Sequence, residues 1–376
     1  MKLGSLCSGA GGLDLAVEQV FGAETAWHCE IDDAAAKVLA HRWTGVPNHR
    51  DLTATDWGAV EPIDILTGGY PCQPFSHAGK RKGTDDERHI WPDVREAIRR
   101  LRPRYTFLEN VAGHRSLGFD RVLGDLAEDG LHVRWTSVRA SDVGAPHQRE
   151  RLFILVTPAD ADDTTCCSGH SRSASASGDG QTDRIVGRCS DAADAASDGR
   201  HEGRPEPAGL IGGSDAAVGG DGPVDLLPTP TARDHKGHNQ RQDGSCLTGA
   251  LLPTHAASDA TGGGRHPDAR VGHTSQIIDA ALLHGTAAWG KYAPAIHRWE
   301  QVTRPAPSPT EPNRNGNPRL NPAFSEWMQG WPDGWVTAVP GISRNDQLRI
   351  IGNGVVPQCA SVALRWLLSV DCGVAA

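Results

Sequence analysis

LGSLCSGAGGLDLAVEQV, at residues 3–20, joins a short apolar strand, a glycine-rich turn and an apolar helix in direct succession. The turn Ser8-Gly9-Ala10-Gly11-Gly12 would let a ligand approach the backbone and the N-terminus of the helix, as nucleotide cofactors do. Such a turn is also common as a simple tight turn. Its meaning therefore depends on the residues that come after it in the chain.

Further strands and helices alternate after this turn. The apolar and β-branched runs predict strands at residues 26–29, 63–67, 105–108 and 152–156, and helical spacing marks residues 13–20, 93–101 and 121–126. Alternation of this kind predicts an α/β fold with a parallel sheet covered on both faces. A last apolar helix is predicted at residues 360–368.

Charge and composition divide the remaining sequence. Residues 158–225 carry 13 acidic side chains against five arginines, which accounts for nearly all of the formal net charge of −9. This stretch is rich in Asp, Ala, Ser and Gly and has no aromatic residue, so we predict that it is largely disordered. We therefore expect a catalytic and cofactor-binding domain at 1–157, an acidic insertion at 158–225, a second domain at 226–318, and a return to the first at 319–376.

The start of the chain and its nine cysteines narrow the class of protein further. No charged and apolar leader follows Met1, and no apolar run reaches bilayer length, so we expect a soluble, cytoplasmic protein without a membrane partner. The cysteines are irregularly spaced and do not suggest a disulfide framework. We expect no metal site.

Two acids follow predicted strands near the glycine turn. Glu30 ends the second strand, where a carboxylate can accept both ribose hydroxyls of a nucleoside cofactor. Asp51 follows a third strand-like segment and could accept from an adenine amino group. Each is equally well explained, when taken singly, as a solvated acid or a helix cap. Together with the turn they predict a nucleoside pocket at the carboxyl edge of the sheet.

Candidate catalytic groups end other strands at the same edge. Cys72 lies in Gly-Gly-Tyr-Pro-Cys-Gln-Pro-Phe-Ser, a polar loop in which a thiolate could react, although most cysteines are buried thiols. Glu109 ends a strand in Glu-Asn-Val and could hold a proton if burial raises its pKa. Arg149 and Arg151, two apart on an extended segment, would point the same way as a fork for a carbonyl or a phosphate. A pair of salt bridges beside the strand is the alternative.

The order of these motifs resembles that of the cytosine carbon-5 DNA methyltransferases of bacteria and phages. Two later segments agree, residues 319–332 (RLNPAFSEWMQGWP) and 352–357 (GNGVVP), so the resemblance covers roughly residues 1–156 and 319–376. It implies a Rossmann-like sheet that binds S-adenosyl-L-methionine, with a smaller irregular target-recognition domain.

The resemblance also implies the roles of the residues. Cys72 would attack carbon 6 of a flipped-out cytosine, Glu109 would engage ring nitrogen 3, and Arg149 and Arg151 would support the site. Carbon 5 would then take the methyl group, lose its proton and release Cys72. Glu30 would take the ribose, Ile31 the adenine face and Asp51 the adenine amino group. The full cofactor set would be Cys7, Ser8, Gly9, Gly11, Gly12, Leu13, Glu30, Ile31, Asp51, Leu52 and Asn353.

Three positions depart from the family pattern. Cys7 replaces the usual phenylalanine of the glycine motif, His147 the glutamine before the arginine pair, and Gly354 a frequent serine. None of these changes removes a group with a catalytic role.

The implied substrate is double-stranded DNA, read by residues 226–318, where Arg233 to Arg241 form the densest polar cluster. We expect a monomer, and leave open a cognate restriction endonuclease that acts separately.

Three alternatives remain. An RNA cytosine-5 methyltransferase would share the motifs, a catalytically silent DNA-binding relative would not need Cys72 and Glu109, and a nicotinamide-dependent oxidoreductase would leave Pro71-Cys72-Gln73 unexplained.

Overall fold

The computed structural model describes residues 1–71, 90–159, 251–260 and 289–370, together with the helical positions 277, 280 and 281. These residues belong to one unit, which clusters Met1–Cys166 with Asp225–Ala376. The predicted acidic insertion at 158–225 and the Arg233–Arg241 cluster lie outside the described residues, apart from Pro158 and Ala159. Within the described part, no helix has the length and apolar character needed to cross a membrane.

Six strands form the central sheet in the order β2-β1-β3-β4-β6-β5. Their bounds are β1 Lys2–Leu6, β2 Glu24–Cys29, β3 Ile65–Gly68, β4 Tyr105–Val111, β5 Leu131–Arg139 and β6 Glu150–Pro158. The first four strands in chain order are parallel, whereas β6 runs antiparallel to both β4 and β5. A second, two-stranded sheet pairs β7 Thr310–Pro312 with β8 Pro318–Leu320.

The predicted parallel sheet thus has an antiparallel edge. β5 and β6 form a hairpin around the short 3-10 turn Ala140–Val143, so β6 must return antiparallel. The sequence analysis does not predict β5, since only Val138 of its nine residues is buried and its apolar pattern is weak. The other predicted strands and helices are confirmed, with small shifts at their ends.

Helices cover both faces of this sheet. In chain order they are α1 Gly12–Phe21, α2 Asp33–Arg42, α3 Trp91–Leu101, α4 Phe119–Glu128, α5 Ala293–Val302, α6 Pro322–Met328, α7 Arg344–Asn353 and α8 Pro357–Ser369. Successive strand residues point to opposite faces, so Ile65 packs with α1 and α8 while Leu66 packs with α3 and α4. The predicted α/β class is confirmed.

Part of the sequence assigned to residues 226–318 packs into the same core as the central sheet. Trp299 and Ile296 of α5 are buried with Phe324 and Trp327 of α6, and Leu252 lies in the same cluster. The indole Nε1 of Trp299 donates to Trp327 O at 2.9 Å. The apolar face of α5 explains this placement, because the core beneath the central sheet covers it. The domain boundary at residue 318 itself stays a prediction.

His147, one of the departures from the family pattern, joins the start of β6 to α6. Its side chain is fully buried, and its Nε2 lies 3.0 Å from Met328 O. Burial lowers the pKa of His147 to about 3 because the charged imidazole is desolvated. The ring is therefore neutral at pH 7, and the carbonyl partner requires that Nε2 carries the proton and donates it.

This burial predicts a specific acid sensitivity. Below pH 6.5 the unfolded chain binds a proton at His147 that the folded protein cannot, so the free energy of unfolding falls as pH falls. For a single histidine the loss between pH 7.5 and 5.5 is about 1.4 kcal/mol. We expect His147→Gln, which keeps a donor for Met328 O, to lose about 1.4 kcal/mol less than the wild type over this range.

Urea unfolding at the two pH values measures the difference. The remaining titratable groups, including the buried His28 and Asp14, are common to both proteins and cancel in the comparison. Equal losses in the two proteins would contradict the neutral, buried state of His147.

Candidate functional site

The glycine turn forms the floor of the site between β1 and α1. Gly9 and Gly11 have φ values of 56° and 81°, in the left-handed region that favours glycine. Gly12 is required for a different reason, since a Cβ there would lie 2.8 Å from Val355 O. The backbone of the turn therefore lies directly against the C-terminal part of the chain.

Glu30 follows β2 and points toward this turn. Its Oε2 accepts from Gly9 N at 2.7 Å and its Oε1 accepts from Asp32 N at 2.8 Å. The side chain is 8% exposed, and burial raises the pKa of the Glu30 carboxyl against the lowering effect of the two backbone donors. These bonds fix both oxygens in place before any ligand arrives, and each oxygen keeps capacity for a further donor.

Ile31 and Asp51 occupy the neighbouring rim. Ile31 is 65% exposed, so its apolar surface is open at the rim of the cavity. Asp51 Oδ1 accepts from the backbone N and the hydroxyl of Thr53, at 2.9 and 2.8 Å, and these bonds lower the pKa of Asp51. Leu52 is buried beside them.

The strand-like segment predicted before Asp51 pairs with the sheet only at Asn48. The third strand of the sheet is β3, and Asp51 precedes it in a loop that makes a single bridge to the sheet, between Asn48 and His28. The loop runs along the outer edge of β2, and this contact, which is not visible as a local apolar pattern, brings Asp51 to the pocket.

The C-terminal part of the chain supplies the opposite wall. Arg349 of α7 forms an ion pair with Asp32 at 2.9 Å, and Asn353 lies at the end of the same helix. Trp335, in the loop after α6, donates from Nε1 to Ala10 O of the glycine turn at 2.8 Å. The buried carboxylate of Glu326 shapes this loop, because it accepts from the backbone N of Gly334, Val336 and Thr337.

One cavity of about 580 Å³ connects these groups. Ten of the eleven predicted cofactor residues line it, namely Cys7, Ser8, Gly9, Gly12, Leu13, Glu30, Ile31, Asp51, Leu52 and Asn353. Gly11 does not line it, since a Cβ on Gly11 would point at the Trp43 ring, and its cofactor role stays a prediction. Arg50 and Arg349 also line the cavity and were missed by the sequence analysis, because only the folded loop and α7 bring them there.

Glu109 lies in the same cavity, at the other end from Ile31 in the sheet order. It pairs with Arg151, whose Nε lies 2.9 Å from Glu109 Oε1. The pair is diagonal across β4 and β6, where Glu109 faces Phe153 and Arg151 faces Val111. Burial raises the pKa of the Glu109 carboxyl, and Arg151 offsets this only in part.

Arg149 does not form a fork with Arg151, contrary to the sequence prediction. Its φ of 29° takes it out of the extended segment, and its guanidinium is buried and turned toward the C-terminal chain. It donates to the carbonyls of His255, Gly352 and Gly354, at 3.2, 2.9 and 2.7 Å. Arg149 does not line the cavity. It holds in place the wall that contains Asn353.

Cys72 lies outside the described residues, but the chain is described up to Pro71. Gly69 lies beside the Glu109 carboxylate, since a Cβ built on it would be 3.7 Å from Glu109 Oε2. Asn110 Nδ2 donates to Tyr70 O at 3.3 Å, and the Tyr70 hydroxyl lies 2.9 Å from His114 Nε2. The segment that leads to Cys72 is therefore fixed against the end of β4. Tyr70 and His114 were not predicted.

Comparison with known proteins gives sequence relatives for the N-terminal half. Residues 1–187 match the model of the C-5 cytosine-specific DNA methylases. The Type II methyltransferase M1.ScrFI of Lactococcus lactis subsp. cremoris is 34% identical over 159 residues, which cover 41% of this chain and 41% of that protein. The Type II methyltransferase M.HpaII of Haemophilus parainfluenzae is 37% identical over 159 residues, with 40% of this chain and 44% of that protein covered. The chain thus spans less than half the length of these two relatives.

Solved structures resemble the whole chain in fold. A mutant form of DNMT2 of Spodoptera frugiperda matches with a TM-score of 0.52 at 17% identity, and 98% of this chain and 99% of that chain are covered. The methyltransferase EhMeth of Entamoeba histolytica matches with a TM-score of 0.52 at 13% identity, covering 100% and 99%. At these identities the likeness supports the fold alone, which is a Rossmann-like α/β fold.

The glycine turn, Glu30, Glu109 and Arg151 all lie within the matched segment 1–187. These residues of the cavity therefore lie in the part of the chain that has sequence relatives. Residues 1–187 thus resemble the C-5 cytosine-specific DNA methylases in sequence, and this segment contains the residues of the cavity named above.

Proposed function

We propose that this chain transfers a methyl group from S-adenosyl-L-methionine to carbon 5 of a flipped-out cytosine in double-stranded DNA. One observation carries the proposal. A single cavity contains both a carboxylate oriented by backbone donors, Glu30, and a buried carboxyl–guanidinium pair, Glu109 with Arg151. A nucleoside cofactor and a second ring can thus be held side by side.

The residues of the cavity fit the cofactor. A volume of about 580 Å³ is in the range of small-molecule sites. The oriented oxygens of Glu30 suit two ribose hydroxyls, the exposed face of Ile31 suits an adenine ring, and Asp51 can accept from an amino group at its edge. The bound cofactor would supply a methyl group on a positively charged sulfur, which is electrophilic without further activation.

Glu109 and Arg151 would hold the target cytosine. Burial raises the pKa of Glu109, which favours the protonated carboxyl, and a protonated carboxyl can donate to ring nitrogen 3. Arg151 can donate to the exocyclic oxygen from the same side, since it already contacts Glu109. A base held this way loses electron density from carbon 6, which is where a thiolate must add.

Cys72 would be that thiolate, one residue beyond the segment that Asn110 fixes against β4. Addition at carbon 6 makes carbon 5 enamine-like and therefore nucleophilic. After methylation, carbon 5 loses its proton and the electrons expel the Cys72 sulfur. Arg149 would act at a distance from the base, by holding the wall that contains Asn353.

The partners and setting belong to the same proposal. The relatives are named Type II methyltransferases, which supports duplex DNA as substrate and a separate restriction endonuclease as a functional partner. We propose that the protein acts as a monomer in the cytoplasm.

The covalent step can be tested at Cys72. We expect Cys72→Ala to lose methyl transfer by at least about a thousandfold, as removal of a nucleophile does, while S-adenosylhomocysteine and duplex DNA still bind. Tritium transfer from labelled cofactor measures the rate. Cys189→Ala, in the acidic stretch, is the matched control and should keep full activity.

DNA that contains 5-fluorocytosine gives an independent readout. The fluorine cannot leave as a proton does, so the wild type should remain bonded to the DNA after denaturation, and Cys72→Ala should not. Wild-type turnover without any such adduct would falsify the nucleophile assignment.

The cofactor side is tested at Glu30. We expect Glu30→Ala to weaken S-adenosylhomocysteine binding by about 1–3 kcal/mol, the range for loss of a charge-assisted hydrogen bond. Glu24→Ala, at the exposed start of the same strand, is the control. If titration calorimetry gives equal affinities for Glu30→Ala and Glu24→Ala, Glu30 has a structural role and does not bind the cofactor.

Sequence recognition is proposed for residues 226–318, with the polar cluster from Arg233 to Arg241 as its centre. These nine residues lie outside the described part of the structure. Alanine at a base-reading position should relax one position of the recognition sequence at a cost of about 1–3 kcal/mol, whereas loss of a phosphate contact weakens all sequences alike. Genome-wide methylation mapping of the nine variants distinguishes the two. Unchanged site preference throughout would place recognition elsewhere.

A further inference from the structure

Asn48 makes three hydrogen bonds at the edge of the cofactor pocket. Its Oδ1 accepts from Glu30 N at 2.9 Å and from Arg50 N at 3.0 Å, and its Nδ2 donates to Glu30 O at 3.1 Å. The amide orientation is unambiguous, because exchanging the nitrogen and oxygen would place an NH₂ group against two N–H donors.

The position of Asn48 explains why these bonds form. β2 is the edge strand of the sheet, and the loop around Asn48 pairs with it at one point, where His28 N donates to Pro47 O and His49 N donates to His28 O. Beyond this bridge no backbone partner is available to Glu30 within the described residues of the loop. The Asn48 side chain takes the place of a backbone partner there. It accepts from the N–H of Glu30 and donates to the C=O of Glu30.

The same amide also fixes the other rim of the pocket. Arg50 has a φ of 68°, a conformation that side-chain-bearing residues rarely adopt, and its N–H is held by Asn48 Oδ1. The Arg50 guanidinium donates to Ile31 O at 2.7 Å, and Asp51 follows directly in the chain. The half-buried Asn48 side chain therefore binds Glu30 and Arg50 directly. Through Arg50 it is linked to Ile31 and to Asp51.

We propose that Asn48 is a positioning residue that holds Glu30 in register with the Arg50–Asp51 rim and so sets the affinity for the nucleoside part of the cofactor. The inference rests on the proposed function, since it concerns the same pocket. Asn48 is not itself among the residues that line the cavity. It acts through the backbone of Glu30 and Arg50.

Two substitutions test the proposal with S-adenosylhomocysteine as the probe, in titration calorimetry on the full chain. Asn48→Ala removes all three bonds, and we expect affinity to fall about 10- to 100-fold. Asn48→Asp keeps an acceptor for both N–H donors but places an oxygen against Glu30 O, and we expect a loss of about 3- to 10-fold. Asn315→Ala, in the exposed turn between β7 and β8, is the control and should bind as the wild type does.

A double-mutant cycle with Glu30 separates positioning from general destabilisation. If Asn48 positions Glu30 as well as the Arg50–Asp51 rim, the variant that combines Glu30→Ala with Asn48→Asp should lose clearly less affinity than the product of the two single losses. If Asn48 only protects the edge of the sheet, the two losses should multiply. The cycle uses Asn48→Asp so that the test survives even where Asn48→Ala does not fold.

The outcomes are distinct. Wild-type affinity in both Asn48→Asp and Asn48→Ala, or losses that multiply in the cycle, would overturn the inference and leave the proposed function intact. Failure of the wild type to bind S-adenosylhomocysteine would overturn the proposed function, and the inference with it.

Discussion

The buried guanidinium of Arg149 is the interaction on which the two halves of the pocket depend. It donates to three backbone carbonyls, one at His255 and two at Gly352 and Gly354, and so ties the start of β6 to segments about 100 and 200 residues later. The bonds to His255 and Gly352 are buried, and a buried carbonyl left without a donor costs about 1–3 kcal/mol. A lysine could not replace this arginine, because only the planar fork reaches carbonyls in several directions.

Once this wall is in place, the chemistry of the site follows from strand order. Parallel strands bring their carboxyl ends to one edge, so the turn after β1, Glu30 after β2 and Gly69 after β3 meet there. The antiparallel β6 then contributes Arg151 from its amino end, directly beside Glu109 on β4. A wholly parallel sheet would have sent Arg151 to the opposite edge. The reversed hairpin is thus what pairs the carboxyl with its guanidinium.

The sequence alone predicts the position of residues that lie at the ends of strands. Glu30 and Glu109 each lie at the end of an apolar run, and both lie where the alternating pattern predicts. Asp51, Arg149 and Asn48 depend instead on where loops contact the sheet. Asn48 binds a residue 18 positions earlier, and Arg149 leaves the extended conformation that its spacing suggested. Such contacts have no local pattern, because they are set by which edge of the sheet a loop follows.

The packing of α1 against α8 has a consequence for how the protein is made. The floor of the pocket is complete within the first 12 residues, yet its opposite wall and the helix that covers α1 lie after residue 343. On a ribosome that adds about 5–20 residues per second, the apolar face of α1 waits roughly 20 to 70 s for its partner. During biosynthesis the apolar face of α1 is therefore exposed until the C-terminal helix that buries it has been made.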